Sequence, residues 1–290
     1  MDASERSMTT PRPVLIGLIG AGIAASRSPA LHMREGAAQG LAYVYKLIDL
    51  EAPEVGAVPL PELIAMARRF GFTGLNITHP CKQSVIPLLD ALSDDARAIG
   101  AVNTVVFPAD GRGIGHNTDW SGFAEGLRRE LPNAPRRRVV QLGAGGAGAA
   151  VAHALLTLET ATLAIFDTEH GRAEGLAEQL GRRFGRGRAH AITDVAATLA
   201  AADGVVNTTP VGMTGHPGMP VPAELLRPDL WVADIVYFPL ETELLRTARA
   251  LGCRTMSGGT MAVFQAVGAF RLFTGLEPDA GRMIRHFASM

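Results

Sequence analysis

One stretch constrains the fold of this chain more than any other. Val139–Leu142 has the length of a short strand, and Gly143-Ala144-Gly145-Gly146-Ala147-Gly148 follows it without a gap. An alanine-rich segment then runs through His153 to about Leu158 with no breaker, and Thr162–Phe166 is a second strand that ends in Asp167. In such a loop the first glycine makes the turn, the second lets backbone approach a pyrophosphate, and the third lets helix pack on strand. The helix N-terminus adds N–H groups and the positive end of its dipole. A bare glycine pattern is weak evidence, since glycine also serves tight packing. Strand, loop, helix, strand and an acid 19 residues after Gly148 together specify a dinucleotide site. Asp167 also selects the cofactor: its carboxylate can accept from both ribose hydroxyls of NAD and would repel a 2′-phosphate, so NAD is expected. Arg172 is the nearby cation that could accommodate a phosphate or lie along the adenine.

With 290 residues, 47% of them hydrophobic and 19% charged, the chain can bury a large core, and its length favours two domains. A net charge of −1 gives no electrostatic reason to expect nucleic acid or a membrane surface as partner. Arg182, Arg183, Arg186 and Arg188 read as a solvated helix end and loop, because only Phe184 interleaves them. Two cysteines, Cys81 and Cys253, are too few for a disulfide framework or a cysteine metal site, which fits a reducing cytoplasm. The first twelve residues are polar, with both charge signs, and read as a frayed or tagged start, not a signal peptide. No apolar run approaches membrane-spanning length.

A second glycine pattern, Gly20-Ala-Gly22-Ile-Ala-Ala25 after the apolar run Val14–Ile19, is rejected as a dinucleotide loop. Ser26-Arg27-Ser28-Pro29 intervenes, and the proline moves the helix start to about Ala30. Ser26 and Ser28 are left at a strand-to-helix turn, either as caps or as donors to a hydroxylated or carboxylated ligand. Helix Pro29–Gly40, strand Tyr43–Asp49 and helix Pro61–Gly71 follow, and such alternation argues for a parallel sheet covered on both faces.

The third strand leads into Gly71–Lys82. Leu75 and Ile77 face inward and Asn76 and Thr78 outward. Pro80 suits the first position of a helix, which puts Lys82 in a first turn at the positive dipole end. That position suits a lysine that gives and takes a proton. The helix is expected to continue through Val85 and Ile86 until Pro87 ends it. Ser93-Asp94-Asp95 starts another helical turn, and a hairpin around Asp110-Gly111 has Asn103 and Asp119 near its two ends. Trp120–Leu131 leaves as a helix toward Pro132–Arg138, the strongest boundary signal.

Beyond Asp167 the pattern gives helix Arg172–Phe184, strands Asp203–Val206 and Leu230–Ile235, helix Glu241–Leu251, strand Arg254–Met256 and helix Met261–Thr274. Met213 and Tyr237 follow strand ends at the carboxyl edge of the second sheet, where open α/β sheets bind ligands; Met213 equally suits the core. Lys82 and Asp119 are the candidate proton-transfer pair. Hydride transfer between an alcohol and a nicotinamide needs a base for the hydroxyl proton, and a carboxylate beside a lysine would hold it in place. Taken singly, either residue has an ordinary use, as a surface lysine or a helix cap. His32, His79 and His116 do not sit at metal-ligand spacings, so no metal is expected.

Taken together, Ser26-Arg-Ser28-Pro29, Asn76-Ile-Thr78-His-Pro80-Cys-Lys82, Gly100-Ala-Val-Asn103-Thr, Asn117-Thr-Asp119, Gly143–Gly148, Asn207-Thr208-Thr-Pro210-Val-Gly-Met213 and Gly258-Gly-Thr-Met261 with Gln265 resemble the shikimate dehydrogenase family, in particular its quinate/shikimate branch. The resemblance covers nearly the whole chain. It implies an α/β fold of two domains: an N-terminal, mostly parallel substrate domain over 1–118, completed by C-terminal helices at 259–290, and a Rossmann-type NAD-binding domain over 119–258. The active site would lie in the cleft between them. It implies a Lys82–Asp119 catalytic dyad, with Ser26, Ser28, Asn76, Thr78, Asn103, Tyr237 and Gln265 at the substrate. Gly143–Gly148, Asp167, Arg172, Asn207, Thr208, Pro210, Met213, Val236 and Gly258 would bind the cofactor. Tyr237 and Gly258 would border the nicotinamide.

The implied reaction exchanges a C3 hydride between NAD and shikimate, quinate or their 3-dehydro forms, in a monomer or homodimer. Where NADP-using members of the family carry Asn-Arg-Thr, this chain has Phe166-Asp167-Thr168, which resembles the NAD-preferring branch. Ser28, often threonine in quinate users, leaves quinate against shikimate open. Two other readings stand beside this one: a metabolite-sensing regulator on the same scaffold, and a dehydrogenase for an amino-hydroxy analogue of shikimate.

Overall fold

The computed structural model describes residues 13–290, so the polar start of the chain lies outside the described residues. In chain order the elements are β1 (Val14–Gly20), α1 (Ser28–Ala38), β2 (Tyr43–Asp49), α2 (Pro53–Gly56), α3 (Leu60–Arg69), β3 (Gly74–Ile77), β4 (Ala91–Leu92), α4 (Asp94–Ile99), β5 (Thr104–Val106) and β6 (Ile114–His116). They continue with α5 (Asp119–Glu130), β7 (Arg138–Leu142), α6 (Gly146–Thr157), β8 (Thr162–Phe166), α7 (His170–Phe184), β9 (Ala189–Ala191), α8 (Val195–Leu199) and β10 (Gly204–Asn207). The last are β11 (Trp231–Asp234), α9 (Glu243–Ala250), β12 (Thr255–Met256), α10 (Gly258–Thr274) and α11 (Ala280–Ala288). No described helix is long and apolar enough to cross a membrane.

Two six-stranded sheets carry the fold, each heading one α/β domain. The first runs β2-β1-β3-β5-β6-β4, with β5 antiparallel to both neighbours and the other pairs parallel. The second is β12-β11-β10-β7-β8-β9 and parallel throughout. Its central strands carry almost unbroken apolar runs because helices cover both faces. β9 occupies an edge where the arginine-rich stretch reads as a loop. Three residues with alternating exposure are too short a signal for periodicity to detect.

α10 joins the two halves. Its start, at Met261, packs with α5 and α6 in the core of the second sheet, while Ala269, Phe270 and Phe273 pack under β1 and β2. α5 lies close against α10 because Gly122 faces it: a Cβ there would come within 2.7 Å of the Gln265 backbone nitrogen and 2.8 Å of the Met261 carbonyl oxygen. The residue that opens α5, Asp119, is thereby fixed relative to both sheets.

The segment after β3 departs from the expected helix. Residues 79–85 form turns, with one α-type bond from the Val85 N–H to the Cys81 carbonyl, and Ile86–Leu88 is a single 3₁₀ turn. Two prolines seven residues apart leave too few positions to repay helix nucleation. Lys82 therefore does not sit at a helix N-terminus, and the helix dipole has no part in its environment.

A polar brace ties the two halves beside the cleft. Gln179 on α7 donates to the Ala98 carbonyl at the end of α4 (2.7 Å), and Asp95 lies 3.6 Å from Arg183 and 3.8 Å from His153. His153 is buried between the edges of Trp120 and Phe184, and burial pushes its pKa down to about 4. The unfolded chain thus holds a proton on this residue between about pH 4 and 6.5 that the folded chain does not. The stability of neutral His153 is complete above pH 6.5 and is lost as pH falls toward 4, by ~3 kcal/mol. His153→Phe is expected to flatten the acid limb of a urea-unfolding series between neutral pH and about pH 4.5. An unchanged pH slope would place the acid sensitivity elsewhere.

Candidate active site

β1, β3 and the loops after them bring the expected substrate residues to one sheet edge. β1 ends at Gly20, and the chain turns through Ser26 into α1. Asp49, at the end of β2, anchors this turn: its carboxylate accepts from the Gly22 N–H (2.9 Å) and the Ile23 N–H (3.0 Å). The Ser26 hydroxyl accepts from the Ser28 N–H at 3.3 Å, so both serines lie on one tight bend. Thr78 follows β3 directly, its N–H bonded to the Ile19 carbonyl. β3 keeps the expected alternation, but neither face meets solvent, and Asn76 is buried with its amide bonded to Tyr45 on β2 and to Asn103 and Thr104 at β5.

Lys82 Nζ lies 2.6 Å from Asp119 Oδ2, and the two side chains retain only 17% and 8% of their exposure. The other carboxylate oxygen accepts from Asn103 Nδ2 at 2.9 Å. Asp119 does not cap its own helix. Asn117 does so, its Oδ1 accepting from the N–H groups of Asp119 and Trp120, which frees the Asp119 carboxylate for Lys82. A largely buried ion pair of this kind gains from low local dielectric as long as both partners stay.

Asn103 is buried and its amide is saturated within the protein. Nδ2 donates to Thr118 Oγ1 (3.0 Å) and Asp119, and Oδ1 accepts from the Thr118 N–H (2.7 Å) and Thr104 Oγ1 (3.0 Å). In this geometry it orients Asp119. Gln265, on α10, lies against α5 at Gly122 and donates to the Ala262 carbonyl. Tyr237 stands at the cleft with 37% of its surface open. Crowding by protein on its other sides, with the charge of Asp119 added, raises its phenol pKa.

The dinucleotide loop lies directly beside the ion pair. A Cβ at Gly146 would sit 3.4 Å from Lys82 Cβ. Gly143 adopts φ +100°, a conformation glycine favours, and a Cβ at Gly148 would come 2.5 Å from the Gly143 carbonyl oxygen. A Cβ at Gly145 would meet nothing within 4 Å, so the middle of the loop faces open space. Closed turn, close helix contact and an open face beside a helix N-terminus fit a pyrophosphate.

Asp167 ends β8 at the loop, with one oxygen accepting from the Ala144 N–H (2.8 Å) and the other from Glu169 (2.9 Å). Arg172 is exposed and pairs with Glu169 at 2.8 Å. Thr208 Oγ1 donates to the Leu142 and Gly143 carbonyls, holding the loop from the next strand, whereas Asn207 spends its amide on Val211, Thr209 and Asp234. Pro210 and the half-exposed Met213 continue that loop, and Val236, buried, donates its N–H to Asp234. Gly258 passes so close to β11 that a Cβ would collide with the Ile235 carbonyl.

Two contributors carry no sequence motif. Gln141 donates from Nε2 to both the Gly143 (2.8 Å) and Gly148 (2.9 Å) carbonyls, clamping the glycine loop from inside. Asp49 holds the serine turn. Both stand at strand ends where only a three-dimensional neighbour reveals their use. The described residues contain no group of three or more His, Cys, Asp or Glu side chains that could hold a metal ion.

Residues 18–105 match the family model described as the shikimate dehydrogenase substrate binding domain. The chain is 60% identical over 278 residues to a shikimate dehydrogenase (NADP(+)) of Streptomyces avermitilis, covering 95% of each chain. It is 53% identical over 279 residues to a quinate/shikimate dehydrogenase (NAD(+)) of Corynebacterium efficiens, covering 96% of this chain and 98% of that one. The quinate dehydrogenase of Corynebacterium glutamicum, solved in complex with NAD, superposes with a TM-score of 0.91 at 51% identity over 96% of this chain and 99% of that one. With this likeness running through both domains and the motifs gathered at one cleft, the chain belongs to the shikimate dehydrogenase family of oxidoreductases.

Proposed function

We propose that this protein is an NAD-dependent dehydrogenase that interconverts shikimate with 3-dehydroshikimate, quinate with 3-dehydroquinate, or both. The observation that carries the reading is the Lys82–Asp119 pair abutting Gly146 of the dinucleotide loop, since a proton-transfer group and a hydride acceptor must address the same carbon. NAD, when bound, accepts the hydride from C3 in the oxidative direction.

Lys82, as the neutral amine, takes the C3 hydroxyl proton as the C–O bond becomes a carbonyl, which leaves its ammonium paired with Asp119, and returns the proton in reverse; Asp119 holds the Nζ atom at that position, and Asn103 holds Asp119. Ser26, Ser28, Asn76, Thr78, Tyr237 and Gln265 bind the ring hydroxyls and the carboxylate. The division is residues 1–118 with 259–290 on the substrate side and 119–258 on the cofactor side.

Cofactor choice rests on Asp167. A carboxylate held at the loop by the Ala144 N–H disfavours a 2′-phosphate through like charge, and Arg172, the cation nearby in sequence, is paired with Glu169. This supports NAD, although the Streptomyces relative is named for NADP(+) and the Corynebacterium one for NAD(+). Purified protein given NAD with shikimate or quinate is expected to form reduced nicotinamide together with the 3-dehydro acid, identified by mass. Turnover with neither acid would defeat the proposal and leave the scaffold as a metabolite sensor.

A further inference from the structure

Beneath the substrate face lies a buried tyrosine that none of the family motifs includes. Tyr45, on β2, is almost fully buried, and its hydroxyl donates to Asn76 Oδ1 at 2.8 Å. Both N–H bonds of the Asn76 amide are spent inside the protein, on the Asn103 carbonyl (3.2 Å) and Thr104 Oγ1 (3.1 Å). An amide oxygen has two lone pairs, so one at Asn76 Oδ1 remains. The Ser28 hydroxyl lies beside the Tyr45 hydroxyl, and the His32 ring packs 5.1 Å from the tyrosine ring, centroid to centroid.

We propose that Tyr45 is a positioning residue for substrate recognition: the Asn103 carbonyl sets the flip of the Asn76 amide and the Tyr45 hydroxyl, donating to Oδ1, holds that oxygen in place, so that Asn76 meets the ligand only as an acceptor and selects a ring hydroxyl that donates. Asn76 has no free N–H with which to hold a carbonyl or carboxylate oxygen at this point of the wall. If the amide flipped, Nδ2 would face the Tyr45 hydroxyl and Oδ1 would face the Asn103 carbonyl, an acceptor opposed to an acceptor. Loss of the tyrosine hydroxyl leaves the orientation set by the Asn103 carbonyl but removes the donor that holds Oδ1 in place, leaving a buried acceptor without its partner.

The inference rests on the proposed substrate class, and the test separates the two. Tyr45→Phe keeps the ring and its packing. It is expected to raise KM for the hydroxylated acid about tenfold while kcat and the KM for NAD change little. The same substitution made in an Asn76→Ala background is expected to change KM less than about twofold, because its effect passes through the Asn76 amide. Equal effects in the two backgrounds would overturn the inference, as would a Tyr45→Phe enzyme with unchanged KM. A purely structural role would instead lower Tm and disturb the KM for NAD as well. A wild-type protein inactive on both acids would overturn the substrate assignment first; an active wild type with an unresponsive Tyr45 overturns this inference alone.

Discussion

Lys82→Ala is expected to lower kcat by about 10³-fold while leaving the dissociation constant for NAD nearly unchanged. The size follows from the role. A positioned general base contributes about 10²–10⁴ in rate, and water is the only replacement in the vacated space. The sparing of NAD follows from the geometry: the Lys82 stem lies against Gly146, but its amine is spent on Asp119, not on the loop. Truncation leaves Asp119 largely buried with only the Asn103 N–H as donor, so some loss of Tm accompanies it. Steady-state rates with an NAD titration by fluorescence make the check. A large loss of NAD affinity would move Lys82 from proton transfer to cofactor binding. Asp119→Asn, which keeps the Asn103 contact within reach but removes the charge beside Nζ, is expected to slow turnover in the same direction.

The second large effect lies at the end of β8. The double variant F166N/D167R replaces the acid with the phosphate-binding arginine and its asparagine neighbour. It is expected to move the ratio of kcat/KM for NADP over that for NAD upward by about 10³-fold. Two changes add: the repulsion between a carboxylate and a 2′-phosphate disappears, and a guanidinium that can bond the phosphate in two places takes its position. The Ala144 N–H loses its acceptor, so absolute rates with NAD fall too. Rates with both cofactors measure the ratio directly. A ratio that does not move would show that Asp167 serves only as the Ala144 and Glu169 anchor.

The dinucleotide half was legible in the sequence because its requirements are local. A turn at positive φ, a helix that must touch a carbonyl at Gly148 and an acid at the next strand end are all written within 29 residues. The first domain was legible as a set of polar residues at strand ends, and the family motifs carried their grouping. Their meeting was not, since Lys82 and Asp119 are 37 positions apart and come together only when α5 is fixed by Gly122 against α10.

The helix expected at Pro80 failed for a physical reason. Proline at a first helical position is a permission, and the sequence supplies no run long enough to use it before Pro87. Asn103 shows another limit. An asparagine beside a motif reads as a ligand group, yet whether its donors are free depends on Thr118 and Asp119 across the hairpin. Tyr45, Asp49 and Gln141 read as ordinary strand residues, because a buried hydroxyl or amide betrays its partner only in three dimensions.

The most direct test is kcat/KM of the purified wild-type protein with shikimate and with quinate, each with NAD and with NADP, followed by reduction of the nicotinamide. The geometry at Lys82, Asp119 and Asp167 predicts turnover of at least one acid, with NAD favoured over NADP by at least about tenfold. Preference for NADP would contradict the role given to Asp167, and no turnover in any of the four combinations would contradict the enzyme itself.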